Sequence, residues 1–304
     1  MKNQIRKTIR SFQATLNAIS NRIAFATLTT LFLLNGLMSA QSAQVVPSRG
    51  SIEQAKSASA SDAARAYGPM RFRGLTPDGG IESSNWSGYA VTGSGFSDAK
   101  GSWHVPEVNC NATPNTYAAF WVGIDGFSDG TVEQTGTDSD CSGSSPVYFA
   151  WYEFFPAGPV MVPNFPVEAG DVIGAEVKYL GGGTFQIRIH NHRTNQLYVK
   201  NQSVSSAERT SAEWIAEAPC AKVVNGSCVE VLPLADFDVA NYGLDYTSDP
   251  GTNTAIDSTT SGPISAFGSN VFEITMVNSS GGNEAVPTSL TSDGTSFRVY
   301  WKHE

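Results

Sequence analysis

A glutamine, Gln134, stands in the polar stretch VEQTGTDSDC (132–141), with Asp138, Asp140 and Cys141 close behind it. A glutamate, Glu213, stands in SAEWIAEAP (211–219), between Ala212 and Trp214 in a strand-like run. A carboxylate can take a proton from water and hand it on, whereas a carboxamide cannot titrate and only donates or accepts hydrogen bonds. The first stretch is too polar for a core strand and reads as a loop held in place by its cysteine. On composition alone Glu213 reads as a solvent-facing strand residue. Other catalytic devices fit less well. GFSDG (126–130) matches GxSxG, with Ser128 at the nucleophile position, but no helix follows it and Ser128 reads as a turn residue. Neither HExxH nor an Asp-Thr-Gly or Asp-Ser-Gly triplet occurs. His190 and His192 lie two apart, hence on one face of a predicted strand, without an evident third metal ligand. Asp138 and Asp140 lack the spacing of an EF-hand loop. No metal and no cofactor are expected.

The elements that must position these residues are strands. FQIRIHNHR (185–193) alternates Phe185, Ile187 and Ile189 with polar residues, and SFRVYWKH (296–303) places Phe297, Val299 and Trp301 on one face. VFEITMV, DVIGAEVKYL, VYFAWYEFF and TYAAFWVGI are further candidates, dense in aromatic and β-branched residues. Gly-, Ser-, Asn- and Pro-rich turns such as LGGG and NSSGG separate them. After residue 80 no amphipathic helix longer than about ten residues is found, which argues against βαβ units. The expected fold is all-β, a two-sheet antiparallel sandwich with one concave, aromatic-lined face. A closed barrel is the alternative.

The first 43 residues read differently. Lys2, Arg6, Lys7, Arg10 and Arg22 precede the apolar run IAFATLTTLFLLNGLM (23–38), and small residues follow. That order predicts a secretory signal peptide over 1–43, ending outside the cell or in a periplasm. Residues 44–80 carry five Lys/Arg against three Asp/Glu and read as a propeptide or flexible leader; 81–304 carry nine against 25 and form the body. So acidic a body repels nucleic acid and anionic membranes, and nothing marks an oligomer interface, so a monomer is expected. Cys110, Cys141, Cys220 and Cys228 form an even set in a secreted chain. Of three connectivities, the sequence-near pairs Cys110–Cys141 and Cys220–Cys228 are preferred, since they need the least long-range geometry.

Five motifs, NWSGY (85–89), WVGIDG (121–126), QTGTD (134–138), WYEFFP (151–156) and SAEWI (211–215), occur in the order and context of the glutamic peptidases, or eqolisins. The chain resembles that family over essentially the whole body. The resemblance implies an antiparallel β-sandwich and a catalytic pair of glutamine and glutamate, falling here on Gln134 and Glu213. By the same matching Trp86, Trp121, Asp125, Asp138, Trp151 and Glu153 line or support the cleft, and proteins or peptides are the substrates. Fungal members commonly have a second tryptophan after Trp-Tyr-Glu; Phe154 stands there in this chain, so their side-chain preference is not carried over.

The implied pair is chemically sensible. Glu213 would act as general base and then acid, while the Gln134 amide donates to the developing oxyanion and orients the water. A carboxylate with an ordinary pKa of about 4 would place the optimum at acid pH. Without the resemblance, a carbohydrate-binding or glycosidase sandwich using Glu153 with Glu213, or a noncatalytic secreted binding domain, would compete.

Overall fold

The computed structural model describes residues 65–303. The expected signal peptide, and the expected leader as far as residue 64, lie outside the described residues. Strands are numbered in chain order. One sheet runs β1 (Phe72–Leu75), β2 (Ile81–Ser83), β18 (Val271–Val277), β3 (Trp86–Thr92), β12 (Ser211–Glu217), β5 (Ala119–Ile124), β6 (Val132–Ser142), β7 (Ser145–Phe155) and β8 (Val160–Met161). A second runs β11 (Gln196–Ser203), β10 (Thr184–Asn191), β9 (Val172–Gly181) and β4 (Asp98–His104). It continues from β4 through β15 (Val239–Tyr242) and β20 (Phe297–Trp301) to β19 (Asn283–Pro287). The hairpin of β16 (Thr254–Ile256) and β17 (Ser261–Pro263) also joins β4. Pairing is antiparallel except between β2 and β18, and β19 pairs with β18, so hydrogen bonding continues around one edge of the sandwich. β13 (Cys220–Val224) and β14 (Ser227–Val231) form a separate hairpin.

Alternation explains why the sheets stack. Val122, Ala212, Trp214, Tyr152 and Phe154 face inward from the first sheet, and Trp103, Ile173, Val177, Phe185, Ile187, Tyr242 and Val299 belong to the same buried cluster from the second. Burying such side chains contributes roughly 1.5–3 kcal/mol each. The opposite face of the first sheet carries a smaller cluster of Trp86, Trp121, Trp151, Phe155, Ile215 and Ile274. Ala66 and Tyr67, from the segment read as leader, belong to that second cluster. The segment counted as leader up to residue 80 thus reaches the sandwich: Met70 N–H donates to the Gly126 carbonyl and β1 pairs with β2.

One expectation fails at β6. The stretch containing Gln134 is not a loop but an eleven-residue strand, with ten residues buried. Several of its inward residues are polar and hydrogen-bonded: Thr137 accepts from the Trp103 indole at 2.9 Å, Thr135 donates to the Trp151 carbonyl at 2.7 Å, and Ser139 donates to the Pro106 carbonyl at 2.9 Å. Hydrogen bonds take the place that apolar contacts hold elsewhere in the core, so hydrophobic alternation gave no signal. The disulfides join Cys110 to Cys141 and Cys220 to Cys228.

Candidate active site

Register assembles the site from strands far apart in sequence. Glu213 on β12 pairs with Gly123 on β5, Gly123 with Gln134 on β6, and Gln134 with Glu153 on β7. Directly paired residues point to the same side of a sheet, so Glu213, Gln134 and Glu153 share the outer face. Two strand spacings put the Glu213 and Gln134 backbones about 10 Å apart. Between them Gly123 offers no side chain, and one would be tight: a Cβ there would meet Trp121 Cζ3 at 3.0 Å and Gln134 Cβ at 3.1 Å.

Neighbouring rows complete the face. Ile215, Trp121, Gly136 and Trp151 form the next one, followed by Glu217, Ala119, Asp138 and Phe149. Gly136 cannot be anything larger, because a Cβ would lie 2.4 Å from the Phe120 carbonyl and 2.6 Å from Trp121 Cβ. Trp121 donates its indole N–H to Glu217 at 2.8 Å and packs edge-on against Trp86. Trp151 donates to Asp138 at 2.7 Å. Glu217 was not singled out from the sequence, although its spacing of four from Glu213 on a strand places both on one face.

Gln134 is held by its neighbour. Its Nε2 donates to Glu153 Oε2 at 3.0 Å and also to the Tyr67 backbone carbonyl, while its Oε1 is buried without a partner. Both carboxylate oxygens of Glu213 are likewise buried without a hydrogen bond. Burial pushes the Glu213 carboxyl well above the ordinary carboxylate range, and the nearby charges of Asp125, Asp129 and Glu133 push the same way. The premise of an ordinary pKa near 4 therefore does not hold while the face is covered: the group is kept neutral because ionising it out of water is costly. Glu153 and Glu217 are raised for the same first reason, burial.

Asp125 is not aimed at the cleft. Its carboxylate accepts the backbone N–H groups of Arg209 at 2.8 Å and Thr210 at 2.7 Å, and its own N–H donates to the Ser211 carbonyl. It anchors Arg209 and Thr210, the two residues just before β12, and so fixes where that strand starts at Ser211. Phe154 belongs to the buried core between the sheets, away from the face that carries Glu153. Ser128 is exposed in a bend, with a strand rather than a helix next along the chain.

Residues 84–286 match the model of the Peptidase A4 family. Scytalidopepsin B of Scytalidium lignicola is 31% identical over 237 residues, covering 75% of this chain and 88% of the relative. Aspergillopepsin-2 of Aspergillus niger is 27% identical over 157 residues, 44% of this chain and 56% of the relative. The crystal structure of scytalido-glutamic peptidase with a transition state analog inhibitor superimposes with a TM-score of 0.59 at 22% identity, over 72% of this chain and 98% of that one. The family match over most of the sandwich, the relative at 31% identity and the shared fold agree: the chain belongs to the Peptidase A4 family, the eqolisin glutamic peptidases.

Proposed function

We propose that this chain is a secreted, acid-active, metal-independent endopeptidase in which Glu213 and Gln134 hydrolyse peptide bonds with water as nucleophile. The observation that carries the reading is the row Glu213–Gly123–Gln134, in which the glutamine amide already donates to a backbone carbonyl. The ionised Glu213 carboxylate takes a proton from water as its oxygen adds to the carbonyl carbon. The resulting oxyanion accepts from Gln134 Nε2, which Glu153 holds in place. Protonated Glu213 then delivers the proton to the leaving nitrogen as the C–N bond breaks, restoring the carboxylate. Because Glu213 must ionise to begin, the covered arrangement is a resting form, and opening the face to water lowers the cost of that charge.

A mechanism with water as the only nucleophile makes a specific forecast. Peptide hydrolysis leaves no acyl-enzyme, so added hydroxylamine yields no hydroxamate product, and EDTA and serine-directed reagents leave the rate unchanged. A hydroxamate together with inhibition by a serine reagent would transfer the chemistry to Ser128. Protein and peptide substrates follow from the same reading, as do a monomer and secretion led by residues 1–43.

A further inference from the structure

One step back along β6 from Gln134 stands Glu133, which alternation turns to the opposite face of the sheet. Its row runs Ala212, Ile124, Glu133 and Phe154, and the other three belong to the apolar cluster between the sheets. Glu133 is 0% exposed. Neither of its carboxyl oxygens accepts a hydrogen bond from another residue. A carboxylate so placed is costly, whereas a neutral carboxyl needs only an acceptor for its one hydrogen. That acceptor is within hydrogen-bond reach: the carboxyl of Asp125, directly after β5.

Asp125 is the member of this pair that is supplied with donors. Its oxygens accept the Arg209 and Thr210 backbone N–H groups at 2.8 and 2.7 Å. Burial raises Asp125, but those two N–H groups oppose the rise by favouring the anion. The other acids set around Glu133 are Asp129 and Glu213. Asp129 accepts from the Gly126 N–H at 3.0 Å and from the Thr210 hydroxyl at 2.6 Å. Arg209, the cation of this segment, lays its guanidinium over the Tyr179 ring, 4.0 Å from the centroid. Two neighbouring carboxyls among such groups do not both ionise, and the proton stays on Glu133. Burial first, then Asp125 and Asp129, pushes Glu133 up to about 10, so its hydrogen is present throughout the acid and neutral range. The residues that Asp125 holds, Arg209 and Thr210, lead within three positions to Glu213.

Resting on the peptidase reading above, we propose that Glu133 is a positioning residue for Glu213: it donates its carboxyl hydrogen to Asp125, and the Asp125 carboxylate so braced holds Arg209 and Thr210 at the start of β12. The base on the outer face is thus set from the inner face, by a hydrogen bond between two acids. A leucine would fill the same row but leave the Asp125 anion without that donor. A glutamine would supply an amide N–H in place of the O–H.

The test compares the full chain with Glu133→Leu and Glu133→Gln. Amide hydrogen exchange at Arg209 and Thr210 needs no activity. Glu133→Leu should speed exchange at both amides about 10-fold, the effect of losing one hydrogen bond to the anion that holds them, whereas Glu133→Gln should stay within about 3-fold of the unaltered chain. Unchanged protection in the leucine variant would overturn the bracing role. Casein hydrolysis against pH is the second readout. Glu133→Leu should lower kcat about 10-fold with KM within about twofold. It should also move the acid limb of kcat up by about one pH unit, because Asp125 without that donor takes up a proton more readily. Glu133→Gln should restore both. A leucine variant with normal kcat and an unmoved acid limb, or a glutamine variant no better than the leucine one, would show that Glu133 only fills the core. Should Glu133→Leu not fold, carbon-13 NMR of the unaltered chain decides. The Glu133 carboxyl signal, assigned by its loss in Glu133→Gln, should remain that of a neutral acid through about pH 7; ionisation alongside exposed carboxylates, near about pH 4, would sink the proposal. If no form hydrolyses casein, the peptidase reading falls, while exchange and the carboxyl signal still decide the Glu133–Asp125 bond.

Discussion

At the scale of single residues, the proposed site is a glutamate whose ionisation burial opposes and a glutamine hydrogen-bonded to a second glutamate. Glu153 has no proton to move in the proposed reaction; it fixes the amide whose Nε2 meets the carbonyl. Glu153→Ala should therefore lower kcat by about 10- to 100-fold, the cost of misplacing a reacting group by about an ångström, with KM changed far less. A kinetic profile in which KM rises and kcat holds would mean that Glu153 binds substrate rather than positioning Gln134. Gln134 and Glu213 were singled out because their sequence contexts matched a known pattern, and what the fold adds is that register sets them on one row of the outer face. Glu217 was legible in principle, through alternation from Glu213. Arg65 and Tyr67 were not, since nothing local marks contacts that span 73 and 86 positions to Asp138 and Glu153.

At the scale of elements, β6 carries most of the consequence. Period-two alternation brings Gln134, Gly136, Asp138 and Asp140 to one face, but polar residues on both faces hid the strand. Apolar strands such as β10 and β20 were readable because Phe185, Ile187, Ile189, Phe297 and Val299 alternate with polar neighbours. The strand order β12–β5–β6 was not readable, because β12 inserts beside a strand about ninety residues earlier in the chain. The end of β6 is tied to Cys110 across a separation of 31 residues. Replacing both cysteines by serine should cost about 4 kcal/mol by loop entropy, seen as a lower midpoint in urea. A change below about 1 kcal/mol would show that the loop is constrained without the bond, as residual structure in the unfolded chain allows. Gly123→Ala should leave the chain folded but depress kcat, because the added carbon crowds Trp121 and the Gln134 side chain. Wild-type turnover in that variant would place the reacting groups elsewhere.

At the scale of the whole molecule, buried carboxyls set how stability follows pH. Burial raises Asp98, Asp129 and Asp138 to about 6, the last against the pull of Arg65, and raises Glu133 to about 10. Each of these groups holds its proton more tightly folded than unfolded. Their contribution is complete below the ordinary carboxylate range and is lost as pH rises toward and beyond 6. Asp293 works in the opposite sense: hydrogen bonds from Thr295 and Thr291 outweigh its slight burial and hold it down to about 2, so its contribution is lost as pH falls toward that value. Stability should peak near pH 4, with the midpoint of thermal unfolding falling on the order of 10 °C between pH 4 and 7. A midpoint that climbs steadily to pH 7 would contradict the buried, protonated carboxyls. The same acid shift converges with the proposed chemistry, since a molecule stable in acid can work there.

The most direct measurement is casein hydrolysis by the full chain across about pH 2 to 7, a range that spans the ordinary carboxylate pKa, beside Glu213→Gln and Gln134→Ala. With the face open to water Glu213 ionises in the ordinary carboxylate range, and folded stability falls as pH rises toward neutral. Activity is therefore expected to be confined to the acid side, abolished by Glu213→Gln and reduced about 100- to 1,000-fold by Gln134→Ala, the loss of one oxyanion donor. Undiminished hydrolysis in either folded variant would contradict the assignment of the reaction to this pair.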